Sequence, residues 1–195
     1  MADESPGDDR TRCSWAGDHP EMRAYHDTEW GVPLHDDRAL FEFLCLEGAQ
    51  AGLSWRTVLL KRDAYRRLFD GFDIEACARI TDRRIGELMM DPAIIRNRLK
   101  IGSVRDNARA ALAAIDEVGS LDALLWSHVD GRTIRNHWRQ PGEVPATTAM
   151  SDRMSKTLRK RGFRFVGSTI CYALMQATGM VDDHLVDCFR HRNPD

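Results

Sequence analysis

Residues 159–169 read Arg-Lys-Arg-Gly-Phe-Arg-Phe-Val-Gly-Ser-Thr. A basic helical segment reaches Gly162, a few residues cross over, and Gly167 stands just before a new helical pattern. A turn this tight points backbone N–H groups outward at the N-terminus of the second helix, where the helix dipole also favours an anion. Gly167 lets a phosphate approach without a Cβ in the way. The stretch therefore predicts a hairpin between two helices that is suited to a phosphate group.

Charge is concentrated around this hairpin. Residues 150–165 contain six basic residues and one acidic residue, a local net charge of +5 on a chain whose total is −2. An ordinary corner between two helices with a solvated charged face explains the spacing equally well. The charge favours contact with the DNA backbone, a contact that reads phosphate and not base sequence.

The rest of the chain also has helical periodicity. Apolar residues recur three or four apart over residues 36–48, over 94–118, and from Trp55 to Phe69 with Ser54 as N-cap. Ser151 is the predicted N-cap of the basic helix. We find no alternating apolar pattern of four or more residues, so the predicted fold class is all-α.

Length and composition exclude several classes of protein. A chain of 195 residues fits one domain, and no apolar run approaches the 18 or so residues of a membrane span. The acidic residues 1–11 are predicted to be a disordered tail, and they lack the apolar core of a secretory signal. Five cysteines at irregular spacing do not indicate a disulfide framework. We expect a cytoplasmic protein with no membrane contact.

Two pairs of residues have the chemistry of metal ligands. His184 and Cys188 lie four apart, which on a helix places both on one face. Cys13 and His26 supply a second pair near the N-terminus. Four such ligands make a closed tetrahedral site, which is structural because zinc catalysis needs an open position. From spacing alone, a loop thiol and an unrelated histidine explain the N-terminal pair equally well.

An acid lies among aromatic residues in the N-terminal half, where Glu47 stands between apolar residues. Gly48 and Gly52 nearby leave room for a flat group. Aromatic faces with one hydrogen-bonding acid suit a base flipped out of DNA, and such a Glu also suits a general acid or base. A tryptophan-rich core with a solvated Glu47 is the alternative. The aromatic residues concerned are Trp15, Tyr25, Trp30 and Trp55.

Six separated segments, taken together, resemble the 3-methyladenine DNA glycosylase I family of the helix-hairpin-helix glycosylase superfamily. They read RCSW at 12–15, YHDTEWGVP at 25–33, LEGAQAGLSW at 46–55, IIRNR at 94–98, KRGFRFVGSTICY at 160–172 and DHLVDC at 183–188. Their order is that of the family, and they span most of the chain. The resemblance implies a helix-hairpin-helix fold with two helical lobes over residues 12–195, a single catalytic domain whose ends are joined by a zinc site.

The resemblance also implies roles for individual residues. Structural zinc, one ion per chain, would be held by Cys13, His26, His184 and Cys188. The excised base would be held by Trp15, Tyr25, Glu47 and Trp55, with Glu47 the candidate catalytic residue. The loop that wedges into the gap left by the flipped nucleotide would carry Gly52 and Leu53. The DNA backbone would be anchored by Gly162, Phe163, Val166, Gly167, Ser168 and Thr169.

The implied activity is monofunctional excision of 3-methyladenine from double-stranded alkylated DNA, by a protein that we expect to be a monomer. The family lacks the catalytic aspartate that most relatives place after the hairpin. We interpret Asp182, Asp183 and Asp187 as residues that flank and order His184, although one of them is a minor candidate for acting on water. The alternatives are a glycosylase of other scope, a module that detects alkylated bases without cleaving them, and a zinc hydrolase.

Overall fold

The computed structural model describes residues 10–191, and almost all of the predicted acidic tail lies outside them. The described part is mostly helical, as predicted. Its α-helices are α1 (Pro20–Thr28), α2 (Asp37–Gln50), α3 (Trp55–Leu59), α4 (Arg62–Leu68), α5 (Ile74–Ala78), α6 (Asp82–Leu88), α7 (Arg98–Val118), α8 (Leu121–Trp126), α9 (Ala149–Lys160) and α10 (Ser168–Ala177). Single 3₁₀ turns occupy Ser14–Ala16, Asp70–Phe72, Ser127–Val129 and Pro141–Glu143.

One short β pairing interrupts this helical fold. Strands β1 (Ile134–Arg135) and β2 (Val181–Asp182) pair in parallel, with Ile134 opposite Val181. Two residues are too few to give an alternating sequence pattern, which is why periodicity did not predict them. The pairing fixes the chain just before His184.

Two predicted helical boundaries are wrong. The pattern from Trp55 to Phe69 forms two helices, α3 and α4, which part at Leu60 and Lys61. The long pattern that starts at Ile94 becomes helix only at Arg98, because the Asn97 side chain accepts hydrogen bonds from the backbone N–H groups of Leu99 and Lys100. An N-cap of this kind sets where the helix starts.

The predicted cap of the basic helix is one turn away from the observed one. Thr148 is the N-cap of α9, and its hydroxyl accepts a hydrogen bond from the Ser151 backbone N–H. The Ser151 hydroxyl in turn accepts from the Thr148 backbone N–H, so the two residues form a capping box. Ser151 takes part in the cap from the third helical position.

The core is built around α2 and α7. All ten residues from Leu40 to Ala49 in α2 are buried, and α7 packs against α2, α5, α6 and α8. Helices α9 and α10 form the predicted hairpin, and α10 packs on α2. The C-terminal end of α2 therefore lies beside the hairpin. Within residues 10–191, no helix combines the length and apolar character needed to cross a bilayer.

Candidate active site and metal centre

A cavity of about 510 Å³ opens between the N-terminal segment, the end of α2 and the start of α3. It contains all four residues predicted to hold a base, which are Trp15, Tyr25, Glu47 and Trp55. Trp30 also lines it, as do several polar residues that the sequence analysis did not assign to the site, among them Gln50, Ser54, Arg56 and Gln176. Gln50 lies three positions after Glu47 on α2, so both residues lie on the same face of the helix. This spacing could have identified Gln50 from the sequence.

The walls of the cavity are aromatic. The rings of Tyr25 and Trp55 lie 5.2 Å apart, and Trp15 lies 4.9 Å from Trp30 in an edge-on contact. Tyr25 is buried, whereas Trp15 is 38% exposed and so stands at the surface. Such walls offer flat, electron-rich faces to a planar ligand.

Glu47 is buried in this cavity. Its side chain is 3% exposed, so the alternative of a solvated Glu47 is wrong. The Oε2 atom is buried and has no hydrogen-bond partner. Burial raises the pKa of Glu47 from 4.5 to about 8. A carboxyl group held in this way is costly to ionise until a cation or hydrogen-bond donor enters the cavity.

The end of α2 that carries Glu47 is closely packed. Helix α2 is apolar around it, and Gly48 allows the hairpin to approach the helix closely. A Cβ on Gly48 would lie 3.1 Å from the Cβ of Phe165, which is tighter than ordinary packing. The backbone of Phe165 has a left-handed φ of +53°, a conformation that is uncommon for a bulky residue.

The loop after α2 presents an apolar side chain to solvent. Gly52 has a φ of +76°, and the Leu53 backbone N–H donates to the carbonyl of Gln50 at 2.6 Å. This tight turn leaves Leu53 42% exposed before Ser54 caps α3. The turn therefore presents an apolar side chain outward, at the end of the loop that leads from α2 to α3.

The hairpin has the glycine geometry that the sequence predicts. Gly162 has a φ of +92° and ends the basic helix, while Gly167 is the N-cap of α10. Phe163 and Val166 are buried, so their side chains anchor the turn, and the Phe163 backbone N–H donates to the Leu158 carbonyl. Thr169 is exposed in the first turn of α10. A polar hollow beside the turn is lined by Asp152, Ser155, Lys156, Arg159 and Ser168.

The four predicted metal ligands lie together. Their ligand atoms are all within 4.8 Å of one another, and all four side chains are buried. The Sγ atom of Cys188 lies 3.4 Å from Nε2 of His26 and 3.6 Å from Nδ1 of His184, and Cys13 Sγ lies 3.7 Å from the same Nδ1. A tetrahedral zinc ion has S···N edges of about 3.6 Å, from bond lengths of about 2.3 and 2.05 Å. The cluster therefore fits an ion of this size.

Hydrogen bonds around the cluster orient its ligands. His26 contacts Asp27 at 2.7 Å through Nδ1, which leaves Nε2 facing the cluster. His184 contacts the Trp30 carbonyl at 3.2 Å through Nε2, which leaves Nδ1 facing it. A hydrogen bond from the Cys13 thiol lowers the pKa of Cys188, and contacts with both histidines add to that shift. Such outer contacts are typical of metal sites.

The three aspartates after the hairpin have different surroundings. Asp182 accepts a hydrogen bond from the His184 backbone N–H, which agrees with an ordering role. Asp187 is exposed. Asp183 is buried and accepts four hydrogen bonds, from Tyr172, Gln176, Asn136 and Trp138, at 2.7–2.8 Å. All four of its lone-pair positions are occupied, so it has none left for a water molecule.

The expected helix between His184 and Cys188 is absent from the described structure. Residues 185–190 form irregular turns, in which the Cys188 backbone N–H donates to the Leu185 carbonyl. The four-residue spacing still brings both side chains to one point, because the turn reverses the chain over that distance.

Comparison with known proteins places this geometry in a family. Residues 15–191 match the model of the methyladenine glycosylase family. The chain is 46% identical over 177 residues to DNA-3-methyladenine glycosylase 1 of Escherichia coli (strain K12), an alignment that covers 91% of this chain and 95% of that protein. It is 46% identical over 178 residues to DNA-3-methyladenine glycosylase of Haemophilus influenzae, covering 91% and 96%.

The fold agrees with these sequence comparisons. The fold of this chain superposes with a TM-score of 0.91 on a solved structure of 3-methyladenine DNA glycosylase I from Staphylococcus aureus. That structure describes how the Staphylococcus aureus protein recognises 3-methyladenine. The two chains are 33% identical, and the match covers 94% of this chain and 98% of the other. The predicted fold is thereby confirmed, and the chain belongs to the methyladenine glycosylase family.

Proposed function

We propose that this chain is a DNA-3-methyladenine glycosylase. It removes 3-methyladenine from alkylated double-stranded DNA by hydrolysing the N-glycosidic bond of a nucleotide flipped into the cavity at Glu47. The proposal is carried by one observation, the buried and unpartnered Oε2 of Glu47 inside an aromatic cavity. The relatives reported above carry the same activity in their names.

The chemistry of the substrate fits this cavity. Methylation at N3 gives adenine a positive charge and weakens its bond to the sugar, so the leaving group needs little acid catalysis. A cationic base places a positive charge opposite Glu47 and so favours the ionised carboxylate. The amino group of the base donates a hydrogen bond to that carboxylate. Tyr25 and Trp55 add cation–π attraction of about 0.5–2 kcal/mol, which neutral adenine does not receive. Selectivity therefore comes from charge and stacking together.

The DNA is engaged at two further places in this proposal. The hairpin at residues 162–169 holds the DNA backbone through N–H groups at the start of α10, with the basic face of α9 beside it. The loop at Gly52 and Leu53 fills the space that the flipped nucleotide leaves, which offsets part of the few kcal/mol that flipping costs.

The metal in this proposal is zinc, with a structural role. Cys13, His26, His184 and Cys188 would hold it in a closed site, where it supplies cross-linking and no reaction chemistry. Trp15 and Tyr25 are two residues or fewer from Cys13 and His26, so the cluster also supports one wall of the cavity. The zinc hydrolase alternative is disfavoured, because four protein ligands leave no open position.

The proposed reaction ends at hydrolysis, without strand cleavage. A lyase step requires an amine nucleophile, usually a lysine. No lysine lines the cavity in the part of the chain that the structure describes. The cavity, hairpin and cluster all lie on one chain, which supports action as a monomer.

The first test is base release from methylated duplex DNA, with the free bases identified by chromatography. We expect release of 3-methyladenine, with 7-methylguanine retained. A protein that is folded and loaded with zinc, and that binds this DNA but releases no base, contradicts the proposal and favours a damage-binding module. Release of other adducts at similar rates favours a glycosylase of broader scope.

A further inference from the structure

A lysine from the central helix holds the end of α2. The ammonium group of Lys100, in the first turn of α7, donates hydrogen bonds to the carbonyls of Ala49 at 2.8 Å and Ala51 at 2.6 Å. These carbonyls lie on either side of Gln50, which lines the cavity. They also lie between Glu47 in the same turn and Leu53 in the following loop. Lys100 thus contacts the backbone that connects the base pocket with the exposed leucine.

This contact gives hydrogen-bond donors to carbonyl groups at the end of α2. The last carbonyls of a helix lack partners within it, and they carry the negative end of the helix dipole. The last turn of α2 has no basic residue of its own. Lys100 is half-buried in this contact, and this partial burial lowers the pKa of its ammonium group.

The same helix holds the hairpin two turns further along. Asn107 is buried, and its side chain accepts a hydrogen bond from the Arg164 backbone N–H at 2.7 Å and donates one to the Arg164 carbonyl at 3.2 Å. Lys100 and Asn107 are seven residues apart, which is about 10.5 Å along a helix and nearly the same face. Helix α7 therefore connects rigidly to both segments that the proposed function assigns to DNA.

We infer that Lys100 is a positioning residue, which fixes the turn carrying Glu47 and the loop carrying Leu53 relative to the hairpin held by Asn107. This inference rests on the proposed function. A nucleotide anchored through its backbone at the hairpin must reach the pocket while the leucine enters the helix behind it. Displacement of one part by about 1 Å is enough to cost roughly a hundredfold in rate.

The test compares Lys100→Met with Lys61→Met. Lys61 is a matched control, because its ammonium group also donates to two backbone carbonyls, those of Pro92 at 2.9 Å and Ala93 at 3.3 Å. That contact joins α4 to the segment before α7 and does not touch the pocket, the loop or the hairpin. Lys100→Arg is the conservative variant, since its guanidinium can still donate to carbonyls.

Three quantities are measured for each zinc-loaded protein: the single-turnover rate of 3-methyladenine release, the affinity for undamaged duplex, and loop insertion. Insertion is followed by the fluorescence of 2-aminopurine placed beside a stable abasic site. We expect Lys100→Met to lose roughly tenfold to a hundredfold in rate and most of the insertion signal, while its affinity for undamaged duplex stays within about twofold of Lys61→Met. Lys100→Arg should recover most of the rate.

Two results overturn the inference alone. One is a wild-type protein that releases base while Lys100→Met matches the rate of Lys61→Met. The other is a loss of rate that follows an equal loss of affinity for undamaged duplex, since Lys100 would then be a phosphate ligand. A wild-type protein that releases no 3-methyladenine overturns the proposed function and this inference together, so the two failures are distinguishable.

Discussion

The Oε2 atom of Glu47 and the Nε1 atom of Trp55 are both buried at the same cavity, and neither has a hydrogen-bond partner. One is an acceptor and the other a donor. A polar ligand that enters the cavity therefore meets one acceptor and one donor that no group of the described protein occupies. A purine base presents both donors and acceptors along its edge, and it is flat enough to lie between the aromatic walls.

Removal of the charge on Glu47 tests its role in excision. Glu47→Gln keeps the shape of the side chain but removes the carboxylate that a cationic base requires. We expect base release to slow by at least tenfold, as measured by single-turnover assays. The free base leaves with the bonding electrons and is neutral, so its affinity, measured by calorimetry, should fall much less. Wild-type excision by this variant would contradict the role.

Glu47 also makes stability depend on pH. Its pKa is about 8 in the folded protein and near 4.5 when the chain unfolds. The unfolded state releases this proton first, so between these values the free energy of unfolding falls as pH rises. The full loss above pH 8 is on the order of 5 kcal/mol. Denaturant unfolding of the free protein at several pH values measures it.

Glu47→Gln is also the control for that dependence. The contributions of all other groups are common to both proteins and cancel in the difference. The variant should match wild type below pH 4.5 and become progressively more stable than wild type up to about pH 8. A difference that stays constant across this range would mean that the carboxyl group is solvated in solution.

Loss of the metal site should destabilise the fold. Cys188→Ser removes one ligand and the link between the two ends of the described chain. We expect the Tm to fall by roughly 10 °C or more, which corresponds to about 4 kcal/mol for a chain of this size. The Tm of wild type should fall similarly with a strong chelator, whereas that of Cys188→Ser should no longer respond.

A second buried cysteine provides a control that distinguishes loss of the metal from loss of side-chain packing. Cys77 is buried but lies outside the cluster, so Cys77→Ser should lose some stability and still respond to the chelator. Wild-type protein from which all metal has been removed, with its Tm unchanged, would contradict a structural metal.

The exposed leucine of the loop can be tested against a matched leucine elsewhere. Leu53 is 42% exposed and Leu60 is 48% exposed, so truncation of either to Ala should change stability by less than about 0.5 kcal/mol. Leu53→Ala should lower the rate of excision about tenfold, because less of the cost of flipping is offset. Leu60→Ala should excise at the wild-type rate, and equal losses in both variants would remove the special role of Leu53.

Much of this molecule was predictable from local patterns. Apolar residues three or four apart predict helices, because one face of each helix must be buried. The glycines at 162 and 167 predict the two ends of the hairpin, and Gly162 has the left-handed φ that favours glycine. The metal ligands and base-binding candidates came from residue chemistry together with a resemblance to known sequences. The breaks at Leu60 and before Arg98 were missed, since each depends on a cap or contact that periodicity does not contain.

The sequence by itself determined which elements form and which side chains are chemically able to bind a base, a phosphate or a metal. Only the tertiary structure decided that Glu47 is buried without a partner, that Asp183 is fully occupied by four donors, and that Lys100 holds the turn beside the pocket. Each of these facts depends on groups far apart along the chain, such as Lys100 and Ala49 or Asp183 and Asn136. Local propensity and spacing are properties of neighbouring residues, whereas desolvation and hydrogen-bond satisfaction depend on everything that packing brings together.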